Sequence, residues 1–138
     1  MSNKFNKVLW ELGRKIEDQS LPILNQHFDC NFERNENNIW DVLDFKDHEK
    51  KIIVEVKGRR ISSEEFEDTL ITASKITAGY QAIDEGWKVY FVFVFTDKMM
   101  MTELFEDSSF KVKFTGTNCI QHYMIPVKEL KEISQEEE

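Results

Sequence analysis

Seven consecutive residues, Val89-Tyr90-Phe91-Val92-Phe93-Val94-Phe95, are each aromatic or β-branched. Such side chains lose rotamer freedom in a helix and pack well on a pleated sheet. The run is far shorter than the ~18–20 apolar residues of a membrane-spanning helix. It reads as the most buried strand of the chain, over residues 87–96, central in its sheet and covered on both faces. A strand of that kind needs further structure on each side, so the chain must build layers around a sheet. Its 138 residues suffice for one such unit with one core. The expectation is a single domain over residues 1–134 followed by an acidic tail, 135–138.

A second β-branched run, Ile52-Ile53-Val54-Glu55-Val56-Lys57-Gly58-Arg59, carries polar groups inside an apolar strand. Side chains alternate along a strand, so Glu55 and Lys57 project on the same side. A carboxylate beside an ammonium on a rigid strand suits metal-dependent phosphodiester cleavage. The acid binds a divalent cation, and the lysine steadies charge on the phosphate or orients the attacking water. Glu-x-Lys on a strand also occurs by chance on solvated faces. Its apolar context, the following Gly58 and a companion acid upstream favour the catalytic reading.

That acid comes from Ile39-Trp40-Asp41-Val42-Leu43-Asp44-Phe45, which reads as a strand over residues 38–46, paired with 51–59 in a hairpin around Asp47-His48-Glu49. A hairpin symmetric about His48 sets Asp41 opposite Glu55, with Cβ atoms about 4.5–5.5 Å apart. Pairing Asp44 with Glu55 instead puts the turn at Glu49-Lys50, which lacks the Asn or Gly of a two-residue hairpin. Asp41 is therefore the expected partner. Asp44 is the alternate and otherwise reads as a polar residue on the outer face.

Elsewhere, residues 4–28 carry helical spacing through Phe5, Val8, Leu9, Leu12 and Ile16, with Pro22 breaking or restarting the helix. Residues 31–35 read as a short strand. Ser62 and Glu65 form a capping-box pattern ahead of a helix over 63–85, weakened at Gly79 and stopped by Gly86. Residues 98–106 read as a short helix, 119–126 as a last strand and 127–134 as a final short helix. The expected order is α-β-β-β-α-β-α-β, an α/β or α+β fold.

The two strands and their acids resemble the core of the PD-(D/E)XK nuclease superfamily, in which an Asp on one strand faces Glu-x-Lys on the next. Trp40-Asp41-Val42-Leu43 is similar to its first acidic motif. Gly13-Arg14-Lys15-Ile16-Glu17 is similar to the Gly-x-x-x-Glu helix of its resolvase-like members. The resemblance covers roughly residues 8–96. It implies a restriction-endonuclease-like mixed sheet flanked by helices, in the order αβββαβ plus C-terminal elements. It implies Asp41, Glu55 and Lys57 as catalytic residues, with Asp41, Glu55 and Glu17 holding Mg2+ or Mn2+. Glu17 reads equally well as an ordinary helix acid, and Glu11 is a weaker candidate. Arg14, Lys15, Arg59, Arg60 and Lys75 would contact nucleic acid. The Gln-x-x-x-Tyr pattern of the exonuclease branch is missing after Gln81.

The implied activity is a Mg2+-dependent endodeoxyribonuclease selective for DNA structure, similar to Holliday-junction resolvases, which act as homodimers. The active-site residues do not separate DNA from RNA as substrate. The competing expectation is a catalytically inactive nuclease-fold protein serving as a binding or scaffold subunit. A net charge of −8 motivates it, since DNA-coating proteins are usually basic. Carboxylate-rich metal sites account for part of that charge, and bound cations offset it locally. His27, His48 and His122, Cys30 and Cys119 show no zinc spacing. Trp10, Trp40 and Trp87 read as core anchors. The chain lacks a long apolar segment and the apolar core of a signal peptide, so the expectation is an intracellular protein, cytoplasmic or nuclear, that is not secreted.

Overall fold

The computed structural model describes residues 7–35, 43–115 and 120–134. The chain opens with helix α1 (Lys7–Phe28) and continues through strands β1 (Glu33–Arg34), β2 (Phe45–Asp47), β3 (Ile52–Gly58) and β4 (Asp68–Thr72). Helix α2 (Ala73–Asp84) follows, then β5 (Lys88–Val94), β6 (Met99–Leu104), β7 (Lys111–Thr115) and β8 (Ile120–Pro126). A single 3-10 turn, Val127–Glu129, leads into β9 (Lys131–Glu132). The fold is mixed α/β. Six strands form one sheet in the order β1-β2-β3-β5-β6-β9, and three form a second in the order β4-β8-β7.

The two β-rich runs lie side by side at the centre of the larger sheet. β3 and β5 pair in parallel, with Glu55 opposite Phe91. Parallel neighbours require a crossover, which β4 and α2 supply. Val54, Val89, Val92 and Phe93 have no exposed surface, as expected of strands covered on both faces. One face packs Val54, Val56 and Val92 against Leu24 and Ile16 of α1. The other packs Ile53, Phe91 and Phe93 against Ile76 and Ala82 of α2. Each helix makes its closest approach over a glycine. A Cβ on Gly58 would lie 2.6 Å from Ile16 Cδ1, and one on Gly79 would lie 2.5 Å from Leu104 Cδ2. Gly86 stops α2 with φ of +94°, the left-handed conformation suited to glycine.

Several elements depart from the sequence pattern. Helix α1 runs through Pro22, which sits on its exposed side, away from the packed face that carries Leu24. The Ser62/Glu65 pattern opens no helix: the Glu65 N–H donates to the Ser62 carbonyl in a turn. Ser63 is held by Asp97 through both its N–H and its hydroxyl, at 2.8 and 2.7 Å. Thr69-Leu70-Ile71 then extends as β4, and the helix waits until Ala73. Residues 99–104 form a strand because they close a tight turn back onto β5, where Phe93 faces Met100. That pairing overrides the helical preference of methionine. The last helix reduces to the turn at Val127–Glu129, and β7 joins the expected strand β8 in the second sheet.

Candidate active site

β2 and β3 are joined by a four-residue loop, 48–51. Asp47 pairs with Ile52, and Phe45 with Val54. The expected turn centred on His48 is therefore displaced. What makes the longer loop workable is a side chain: Asp47 accepts the N–H groups of Glu49 and Lys50 at 3.0 and 3.1 Å, closing an Asx turn. Lys51 adopts φ of 58° to return the chain to β3. Lys51 then lies over the Trp87 ring, 4.7 Å from its centroid. The loop is centred on Glu49-Lys50, as the alternate pairing of Asp44 with Glu55 expects, but it has four residues instead of two.

Carrying this register one residue further sets Asp44, not Asp41, opposite Glu55. Asp41 itself lies outside the described residues, as does Trp40. Asp44 is fixed at both ends of its residue. Its carbonyl accepts the Asn35 N–H at 2.8 Å, and its Oδ2 accepts the Val56 N–H, also at 2.8 Å. The carboxyl that the sequence assigned to an outer face is thus tied to the backbone of the Glu-x-Lys strand.

Glu55 is 1% exposed, an unusual position for a carboxylate. Its two oxygens have opposite surroundings. Oε2 lies 3.2 Å from Lys75 Nζ of α2 and 3.8 Å from Lys57 Nζ of its own strand. Oε1 is buried without a hydrogen-bond donor. Asp44 is the acid beside it, and a side-chain hydrogen bond between the two carboxyls requires that Glu55 keep its proton. Burial and then the Asp44 charge push the Glu55 carboxyl up to about 8, against the pull of Lys75 and Lys57.

Glu17 borders this pair. Burial and the charge of Asp44 raise its carboxyl, while Arg34 counteracts both. Arg34 of β1 grips Glu17 at 2.6 Å and Asp18 at 2.5 Å, and its guanidinium lies over the Phe45 ring. Glu17 is therefore committed to an arginine. Glu11 is exposed and lies 3.8 Å from Lys7 along the helix surface. Among the described residues, no three His, Cys, Asp or Glu side chains converge as a metal-holding group. The donor set that does form is Asp44 and Glu55. Two carboxylates with one bare oxygen fit a hard cation that retains several waters, the habit of Mg2+.

The basic residues divide. Lys57 and Lys75 meet at Glu55. Arg59 turns inward: its Nε donates to Thr69 Oγ1 at 3.1 Å, and a terminal nitrogen donates to the Leu70 carbonyl. It fastens the second sheet to the end of β3 and stacks over Phe93. Arg14 lies close enough to lower the Glu17 carboxyl, whereas Lys15 and Arg60 are exposed. Lys75 was legible as a polar residue on the following helix, yet its contact with Glu55 was not.

No helix among the described residues is long and apolar enough to cross a membrane. No protein-family model, curated protein or solved structure matches this chain.

Proposed function

We propose that this protein is a metal-dependent endonuclease that hydrolyses DNA phosphodiester bonds at Asp44, Glu55 and Lys57. One observation carries the reading: a buried Glu55 with an unpartnered oxygen beside Asp44 and two ammonium groups on its other oxygen. An internal structural ion pair would be expected to satisfy both oxygens. Here Oε2 meets two ammonium groups, while Oε1 lies with Asp44, where a cation would replace the proton that burial makes Glu55 retain.

The β1-β2-β3 meander, the α2 crossover and the parallel strand β5 also follow the αβββαβ order of the PD-(D/E)XK resemblance, with β4 added. Bound Mg2+ or Mn2+ would supply Lewis acidity toward the phosphate and lower the pKa of a coordinated water. Asp44 and Glu55 would hold it through Oε1 and the Asp44 carboxylate. Lys57, 37% exposed at its side chain, stands where an ammonium reaches from the acid pair to a phosphate oxygen. It would orient the water and steady the charge that grows on the non-bridging oxygens. Lys75, more deeply set, keeps Glu55 oriented through Oε2. Water would give up a proton to solvent as its oxygen bonds to phosphorus, the bridging P–O bond would break, and the sugar oxygen would leave and take a proton from solvent. The products are a phosphomonoester and an alcohol.

A binding or scaffold role is the second reading. It is favoured by the engagement of Glu17 with Arg34, which leaves two acids at the centre among the described residues. Incubation with branched, duplex and single-stranded DNA and with RNA, each in Mg2+, Mn2+ or EDTA, separates the two. The nuclease reading expects cleavage that needs the metal and is lost in Lys57→Ala. Intact substrates throughout, with wild type equal to Lys57→Ala, would establish the scaffold instead. Cutting confined to RNA would keep the chemistry and replace the substrate.

A further inference from the structure

A cleft of about 690 Å3 lies between the end of β3 and the second sheet. Lys57 lines it and also lies 3.8 Å from Glu55, so one lysine is shared by the cleft and the acid pair. Its floor is one face of the second sheet. In the β4-β8-β7 register, Thr72 faces His122, which faces Lys113, and Leu70 faces Met124. Thr72 leads directly into α2, the helix that carries Lys75, so the Thr72-His122-Lys113 row marks the end nearest the acids. At the far end, about 13 Å along β4 at ~3.3 Å per residue, Phe66 is 61% exposed at the lip. Glu67 and Asp68 also lie at that end. The cleft is therefore polar in one direction, with cations toward the catalytic strand and an aromatic ring away from it. Arg59 does not belong to the cation set, because its guanidinium is used to pin Thr69 and Leu70.

We propose that this cleft binds an unpaired nucleic-acid strand leading to the scissile bond, with phosphates along Lys57, His122 and Lys113 and a base stacked on Phe66. The assignment rests on the nuclease reading and narrows it to substrates with a single-stranded segment. The volume is that of a small-ligand pocket, ~300–1,000 Å3. It admits a short stretch of one strand and excludes a double helix. Aromatic platforms combined with a cationic track are how single strands are held without sequence readout. Cations gathered on one wall are also conspicuous in a chain whose net charge is −8. An exposed phenylalanine at the lip has no role in either core cluster.

The test is fluorescence anisotropy in EDTA, where nothing is cut, using a labelled 12-nucleotide DNA strand and the blunt duplex of the same sequence. The single strand should bind at least tenfold tighter than the duplex. Phe66→Ala should weaken it about fivefold to a hundredfold, the loss of one base stack. Lys113→Ala should weaken binding and reduce the slope of log K against log salt by about one. Lys88→Ala, an exposed lysine at the opposite end of the parallel pair, should bind as wild type does. Thermal melts confirm that each variant is folded. Equal or tighter duplex binding, an unaffected Phe66→Ala, or equal losses in Lys88→Ala and Lys113→Ala would overturn the assignment. Polyglutamate competing as well as the oligonucleotide would also overturn it. Metal-dependent cutting that persists through such a failure would leave the nuclease reading intact. Binding as expected with no cutting would remove that reading and leave the cleft.

Discussion

The two sheets differ in how they are enclosed. In the six-stranded sheet, β3 and β5 are packed between α1 and α2, and Val54, Val89, Val92 and Phe93 are fully buried. The three-stranded sheet presents Val112 at 45%, Phe114 at 63% and Ile120 at 45% exposure. The first sheet is a clamp that can hold Glu55 in an environment it resists. The second borders a cleft and has less packing to lose. Enclosure is thus concentrated around Glu55, while the outer strands of the second sheet leave apolar side chains uncovered, Val112 and Phe114 on the face opposite Lys113.

The sharpest way to break that comparison is to remove one phenylalanine from each sheet. Phe93→Ala should cost about 3–5 kcal/mol in urea denaturation, the range for a fully buried ring. Phe114→Ala should stay within about 0.5 kcal/mol. Similar losses would mean that the sheets form a single packing unit of uniform stability.

A smaller effect in free energy, though decisive for chemistry, is expected at Glu55. Glu55→Gln should lower cleavage by more than about a hundredfold, beyond what loss of a supporting residue around a metal does. The melting temperature in EDTA near pH 7 should stay level, because a carboxyl raised to about 8 is already mostly neutral there and Gln keeps its shape. Unaltered cutting would show that the bare oxygen has no catalytic use. A large fall in stability would make Glu55 a structural residue.

The smallest effect concerns acid. Backbone N–H groups of Asn31, Lys50 and Glu49 hold Asp47 below the usual carboxylate range, and Ser63 does the same for Asp97. A depressed native pKa gives stability that is fully present above the unfolded value, ~3.9. It is lost as pH falls through that value toward the native one. Stability measured by urea should therefore decline below about pH 4, and Asp47→Asn and Asp97→Asn should each flatten the decline. Both turns serve the six-stranded sheet, so an undiminished slope in the two variants would move the acid-sensitive contacts elsewhere.

Sequence pattern located the centre of the fold and lost its periphery. Burial on both faces writes itself into composition, so residues 52–58 and 88–94 were legible as strands, and Glu55 with Lys57 as same-side neighbours. Strands β4, β6 and β7 were missed because their identity comes from partners. Met99-Met100-Met101 has no strand preference of its own and is extended by pairing with β5. Ser62 and Glu65 carry a helix-start pattern that Asp97 redirects by holding Ser63. The acid pair was half legible. An Asp opposite Glu55 was expected, with Asp41 preferred on an assumed short turn and Asp44 as the alternate, and the register sets Asp44 there. Asp47 contradicted that assumption with a side-chain bond that spacing rules do not encode. The meeting of Lys75 with Glu55 depends on where α2 begins, and a helix expected to start ten residues earlier could not disclose it.

Loop 48–51 has a consequence out of proportion to its size. In an antiparallel ribbon, slipping one strand by a single position reverses which way every side chain points. Deleting His48 while the loop keeps four residues would slip the strands by one and strip Glu55 of its facing acid, although every carboxyl group in the protein survived. The facing acids are specified by a count as much as by an alphabet. Mutagenesis that only swaps letters would never discover how easily it can be dismantled.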